Sequence, residues 1–276
     1  MSIISRTILL LQTEMERPKP YGWFHIFFIL IMLLTIFILY RKRNYTEKKL
    51  KVVLAFYGIT SLLLEILKQI SWAFTYDSIK NLLLFDYEWY AFPFQLCTTP
   101  IYVSIICLFL NKNKVRDSLL SYLAFVTILG SVSTILLPES CFVTDILVNI
   151  HTMYLHLGSF VVSVYLLISE EVKLNVKSLF NGIIMFIIFV FIANSLNITI
   201  YNLNILNGET FNMFYISPYF ISSLPVFNII QANVPYILFL IIYLWAIILG
   251  SIIIFFITLI IKKVNLYVKH NKNKIK

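Results

Sequence analysis

A thiol, an imidazole and several carboxamides fall at similar depth in separate apolar stretches of this chain. Cys97 follows the run Phe92-Pro93-Phe94-Gln95-Leu96, His156 sits mid-stretch further on, and Asn194 lies in the next apolar block. A free thiol is a weak nucleophile until a neighbouring imidazole draws its proton away. Amides such as Asn194 or Gln95 can then orient the imidazole or donate to a developing oxyanion. Those residue types together supply the parts of nucleophilic acyl transfer. A lone membrane cysteine can equally be a small apolar filler.

Other polar residues follow helical spacing around these groups. Ser61, Glu65, Lys68, Gln69 and Trp72 form one stripe, with Glu65 and Lys68 able to pair at i, i+3. Asn149, Thr152, His156, Ser159 and Ser163 form a second. Asn194, Asn197, Tyr201 and Asn204 form a third, and Thr127, Ser131 and Thr134 add to the set. Ionisable and amide groups in a membrane span face a neighbour or a cavity, because lipid cannot satisfy them. The stripes are thus either the walls of a polar cavity or seams of ordinary helix packing. His151 falls about 140° from His156 on a helical wheel, on another face and nearer the interface. There it is expected to stay solvated without a partner.

The elements that position these groups are set by composition. The 276 residues are 60% hydrophobic and 13% charged, with mean hydropathy +0.87. Soluble domains carry about a quarter charged residues. A soluble enzyme, a disordered chain and a disulfide-stapled module are excluded. The +9 charge does not indicate nucleic acid, because the basic residues lie between apolar blocks.

Seven blocks reach spanning length: 21–40, 50–74, 90–110, 117–137, 145–168, 178–203 and 233–261. The fold class expected is all-α, a polytopic membrane protein of seven transmembrane helices over 21–261. Residues 1–20 form an N-terminal extracytoplasmic segment, with no cleaved signal expected, and 262–276 a basic cytoplasmic tail. Seventeen of the 22 Lys and Arg lie on one side, in the connections around 41–51, 112–116 and 173–177 and in the tail. Positive-inside bias then puts the N-terminus outside and the C-terminus in the cytoplasm.

Residues 204–232 form an outer segment without a single Lys or Arg. It is rich in aromatics, among them Phe211, Phe214, Tyr215, Tyr219, Phe220 and Phe227. It reads as an interfacial aromatic belt or as a lid. No internal repeat is visible, which argues against an inverted-repeat transporter. Nucleotide, zinc-protease and serine-hydrolase motifs are absent, and the three cysteines form no C-x-x-C. Neither a metal nor a soluble cofactor is expected. Cys107 reads as packing, and Cys141 in the outer loop 138–144 is a possible disulfide partner for Cys97.

Several of these residues together resemble a known family. Phe92-Pro93-Phe94-Gln95-Leu96-Cys97 is similar to the Leu-Pro-(Phe or Leu)-(Gln or His)-Leu-Cys signature of the YwaF family of bacterial seven-span membrane proteins. His156-Leu157-Gly158 resembles that family's span-five His-Gly. Asn194, Gly208, Asn212-Met213-Phe214-Tyr215 and Pro218 resemble its Asn…Gly-x-Asn-Tyr-Met-(Tyr or Phe)-Leu…Pro segment. Ser222-Ser223-Leu224 and Pro235-Tyr236-Ile237 resemble the pieces that follow. Leu157 stands where the family has Gly directly after the histidine. That family is similar to the eukaryotic transmembrane protein 164, an acyltransferase of ether phospholipids with an essential Cys and His. The resemblance implies Cys97 and His156 for that pair.

The expectation is an integral membrane acyltransferase or acyl hydrolase of the cell membrane, acting on membrane lipids from an outer-leaflet cavity. Cys97 attacks, His156 serves as base, and Asn194 or Gln95 orients. Glu65, Lys68, Gln69, Gln95, Asn149, Thr152, Asn197 and Asn212 line the cavity. No nucleic acid or protein partner is implied. The alternative is a non-enzymatic binder or transporter of a small polar solute.

Overall fold

The computed structural model describes residues 2–44 and 46–274. Met1, Tyr45, Ile275 and Lys276 fall outside them, as do the side chains of Lys269, Lys272 and Lys274 on which part of the charge count rests. Among the described residues, six helices are long and apolar enough to cross a membrane. They are α2 (Trp23–Arg41), α3 (Glu47–Trp72), the nearly continuous pair α5 (Lys114–Phe125) and α6 (Thr127–Leu136), α7 (Ile146–Ile168), α8 (Val176–Asn202) and α10 (Tyr236–Lys274). Shorter helices are α1 (Ile3–Leu11), α4 (Thr99–Phe109) and α9 (Phe227–Asn233).

The third expected span, 90–110, is helical only over its second half. With eleven residues, α4 rises about 16 Å, half of a hydrocarbon core. Pro93 forces the residue before it out of the helical region, and Phe92 is extended at ψ 133°. The helix waits for Pro100, which sits in its first turn. Cys97 therefore lies in the turn leading into α4 rather than on a helix face.

A second departure from an all-α chain is a hairpin between α3 and α4. Strand β1 (Phe74–Asp77) pairs antiparallel with β2 (Leu82–Phe85), in the register Phe74 opposite Phe85. Asp77 Oδ1 accepts the amides of Ile79 and Lys80, and Asn81 takes the left-handed conformation (φ 52°) that the turn requires. The stripe of α3 ends at Trp72, so the expected span 50–74 stops at the hairpin.

The core sits where α5 and α7 run through the middle. Leu119 to Val126 are all buried, and α8, α7 and α4 pack around them. Close approach needs small residues. A Cβ on Gly182 of α8 would stand 2.8 Å from the Ser121 carbonyl oxygen of α5, and one on Gly158 of α7 would stand 2.8 Å from the Tyr57 ring of α3. By contrast, α2 and α10 are peripheral and turn wide apolar faces outward, as lipid-facing helices do.

The two ends of the bundle differ in chemistry. At one end Arg116 pairs with Glu47 (2.7 Å) and Glu171 (3.6 Å), and Lys262 with Glu170 (2.7 Å). At the other, the segment that follows α1 straps the helix ends. Gln12 Nε2 donates to the carbonyls of Ser71 and Phe74, and Glu14 bridges Asp145. Ile8 to Leu11 belong to α1, capped by Ser2. The last span does not stop at 261: α10 continues to Lys274, so the basic tail is helical through its described part.

Candidate functional site

The stripe on α3 builds the first cluster. Glu65 and Lys68 are one turn apart and both buried, with Nζ 2.8 Å from Oε1. Gln69 Nε2 donates to the same Oε1 (2.8 Å) and to the Ala91 carbonyl (2.7 Å). Tyr87 donates its hydroxyl to Gln69 Oε1 (2.7 Å). Burial first, then the charges of Glu65 and Glu209, push the Tyr87 phenol up to about 12, so it remains a donor.

The other Glu65 oxygen meets a histidine that sequence placed elsewhere. His151 Nε2 stands 2.7 Å from Glu65 Oε2. His151 is 4% exposed, not solvated. The correction has a packing cause: α7 is central, with α3 on one side and α6 on another, so both of its histidine faces are covered. His156, half-buried, is on the α6 side. A Cβ on Gly130 would sit 3.9 Å from its Nδ1. The rest of that stripe is helix glue. Ser159 donates to Thr127 (3.2 Å), Ser163 to the Leu123 carbonyl (2.6 Å), and Asn149 exchanges two bonds with the Val143 backbone. Thr152 is half-buried and makes no hydrogen bond among the described residues.

Cys97 packs at the edge of the main core and is near enough to Lys68 and Glu65 to sense their charge. Among the described residues, no hydrogen bond joins its sulfur to His151 or His156, and the thiol is free. Among the described residues, no disulfide ties Cys141 to Cys97.

The remaining amides serve a different purpose from lining an open cavity. Residues 211–217 leave the interface and dive into the bundle, with Phe211, Met213, Phe214, Ile216 and Ser217 fully buried. Irregular backbone at this depth survives only where protein satisfies its polar groups. Asn197 does so twice, accepting from Met213 N (2.7 Å) and donating to Met213 O (3.0 Å). Gln95 accepts from Phe214 N (2.8 Å) and donates to Asn212 O (3.0 Å). Asn212 accepts from Ser217 N and donates to the Phe220 and Ile221 carbonyls. Tyr236 bridges the Asn194 side-chain oxygen (2.6 Å) and the Ile216 carbonyl (2.9 Å). So clamped, Phe214 and Tyr215 both hold left-handed φ near 58°, and Phe214 stacks on Phe94. The aromatic belt expected at 204–232 is thus partly a plug. Tyr219, stacked on Tyr201, keeps an exposed position.

One groove opens beside these groups. Its volume is about 460 Å³, and Glu65, Ile66, Gln69, Ile70, Phe85, Tyr87, Pro93 and Tyr102 are among its walls. Ile66, Ile70 and Phe85 are exposed, so the groove faces outward from the bundle flank. Pro93 belongs to the same irregular segment as Cys97.

A sequence profile of the TMEM164 family matches residues 19–260, from just before α2 into α10. No curated protein and no solved structure matches the chain.

Proposed function

Because the chain belongs to the TMEM164 family, a family of membrane proteins, we propose that it transfers acyl groups between lipids of the cell membrane. Within the family its Pro93-to-Cys97 segment resembles the signature of the bacterial YwaF proteins, which supports reading it as one of them. The observation that carries the reading is the groove. It is an apolar slot on the lipid-facing flank, with a carboxylate and an amide in its wall and the Cys97 segment at its edge. An acyl chain fits such a slot, and an ester at its inner end comes to the thiol.

In this mechanism the Cys97 thiol gives its proton to an imidazole, and the thiolate attacks the ester carbonyl carbon. The tetrahedral oxyanion collapses, the C–O bond breaks, and the leaving alkoxide takes the proton from the imidazolium. A second hydroxyl, of an acceptor lipid or water, is deprotonated in turn and releases the acyl group from its thioester. His156 is the base by family resemblance. A second reading makes His151 the base, favoured by its contact with Glu65, which resembles the carboxylate that orients the imidazole in catalytic triads. The binder or transporter of a polar solute has less support, since Gln95, Asn197 and Asn212 are engaged by backbone.

The test is capture of the thioester. Purified protein is mixed with a phospholipid bearing a labelled acyl chain and analysed by intact mass. A label on the wild type that hydroxylamine removes and Cys97→Ala lacks is the expected result. Turnover that persists in Cys97→Ala overturns the proposal.

A further inference from the structure

Four phenols lie close enough to Cys97 for charge on its sulfur to be felt: Tyr57, Tyr102, Tyr122 and Tyr215. Three of them are already engaged. Tyr57 donates its hydroxyl to the Leu155 carbonyl (3.2 Å), and Tyr102 donates to the Pro93 carbonyl (2.6 Å). Tyr122 meets the Thr99 hydroxyl at 2.6 Å. Thr99 gives its own proton to the Leu96 carbonyl, so Tyr122 is the donor of that pair. Among the described residues the Tyr215 hydroxyl makes no hydrogen bond. Nor is it sealed in, since Tyr215 is half-buried while Phe214 and Ile216 on either side are completely buried.

The place of Tyr215 is imposed by its neighbours. Phe214 N donates to Gln95 Oε1 (2.8 Å), Gln95 Nε2 donates to Asn212 O (3.0 Å), and the Phe214 ring stacks on Phe94 with centroids 5.7 Å apart. The plug is thereby bolted to residues two and three places before the thiol. Tyr215 itself holds a left-handed φ of 59°, a conformation that a bulky side chain keeps only where its surroundings over-determine it. The same contacts occupy the amides that the sequence offered for steadying charge. Gln95 is held by the plug, and Asn194 Oδ1 accepts from Tyr236.

We propose that the Tyr215 hydroxyl donates a hydrogen bond to the acyl carbonyl oxygen as Cys97 attacks, which makes it a catalytic residue of the acyl transfer described above. The inference rests on that reading. The thiol proton goes to the imidazole, the C–S bond forms, and the carbonyl π pair moves onto oxygen. The phenol donates to this oxyanion and keeps its own proton. When the pair returns, the ester C–O bond breaks and the alkoxide leaves with the imidazolium proton. A phenol suits the task because it is neutral and protonated at neutral pH. It adds no charge to the bundle, and its bond strengthens only as negative charge develops.

The test compares two phospholipid analogues, one with a trifluoromethyl ketone in place of the ester and one with that ketone reduced to the alcohol. The thiol adds to the ketone and leaves an oxyanion where the transition state has one, whereas the alcohol cannot react. Affinities are read in nanodiscs by displacement of a fluorescent phospholipid. The wild type is expected to prefer the ketone, and Cys97→Ala to lose that preference. Tyr215→Phe is expected to reduce it by roughly 10²-fold, the scale of a lost oxyanion donor. Its affinity for the alcohol is expected to stay unchanged, which also reports a folded protein, since only an unbonded hydroxyl is removed. Weakening of both analogues alike overturns the proposal in favour of a structural role. A preference lost in Cys97→Ala and kept in Tyr215→Phe leaves acyl transfer standing and overturns the role of Tyr215. A wild type without preference, or a Cys97→Ala that retains it, removes the nucleophile and this inference with it.

Discussion

Glu65 of α3 and His151 of α7 meet with Oε2 and Nε2 2.7 Å apart. Lys68 holds the other carboxylate oxygen at 2.8 Å. The carboxylate is thereby flanked by a cation from its own helix and an imidazole from the next. Buried charge is tolerable only in such company, and removing one member leaves the others exposed to low dielectric.

Glu65→Gln is therefore expected to destabilise the protein by about 3–5 kcal/mol, because Lys68 stays buried without its partner. Glu65→Gln combined with Lys68→Met is expected to recover much of that loss. Thermal unfolding of both variants in one detergent checks it. Equal melting temperatures for the single and double variants would show that Lys68 is not the source of the cost.

The two histidines separate by activity. His156→Ala is expected to reduce lipid acyl turnover by roughly 10²-fold or more, the scale of a lost general base. His151→Ala is expected to lower stability more than turnover, through the Glu65 contact. Initial rates with a labelled phospholipid decide, and an inactive His151→Ala beside an active His156→Ala would transfer the role.

Asn197→Leu keeps the branched shape of the side chain but orphans both Met213 backbone groups. Each costs about 1–3 kcal/mol when buried. Hydrogen exchange over 211–217 should accelerate, while the hairpin at 74–85 keeps its protection. Uniform acceleration would mean that the whole bundle had loosened.

Gly158→Ala drives a methyl to 2.8 Å from the Tyr57 ring. A cost of about 1–3 kcal/mol is expected from overpacking. Combining it with Tyr57→Leu should relieve the clash, whereas at Gly182 the obstacle is the Ser121 backbone and no side-chain change can help. Paired melting curves measure the difference.

Glu88 contributes a pH dependence at the hairpin end of the bundle. Its carboxyl is raised by burial and by Glu209 and Asp86, so the folded state holds its proton more readily than the unfolded chain. Its contribution to stability is complete below the ordinary carboxylate range and is lost as pH rises through the folded value. Glu88→Gln should thus stabilise at neutral pH and make no difference near pH 3. A gain of equal size at both would point to a cause other than charge.

Hydropathy sufficed for most helices, since twenty apolar residues have few other fates. It overran at 90–110 because apolar content continues through Pro93, where helix cannot. The hairpin depended on an Asp77 turn flanked by strands of four residues, too short for a pattern of alternation. The stripe Glu65, Lys68, Gln69 was legible as a single helix face, and its members do converge. His151 was not, because wheel angles rank faces but do not say how many are covered. The amide clamps were hidden most deeply. Gln95 and Phe214 lie 119 positions apart, and nothing local to either residue signals a side chain bonding a distant backbone.

The plug at 211–217 also orders the making of the protein. Its own neighbours satisfy only part of its backbone, and the Met213 and Phe214 amides stay unpaired in a bilayer until Gln95 and Asn197 are in place. Both partners precede it in the chain and leave the ribosome first. The segment thus locks only after those helices, and Tyr236 of α10 completes it, a clasp that closes only on a correctly arranged bundle. A chain truncated after α8 would present an unfilled socket to the membrane, the kind of defect that quality-control proteases read.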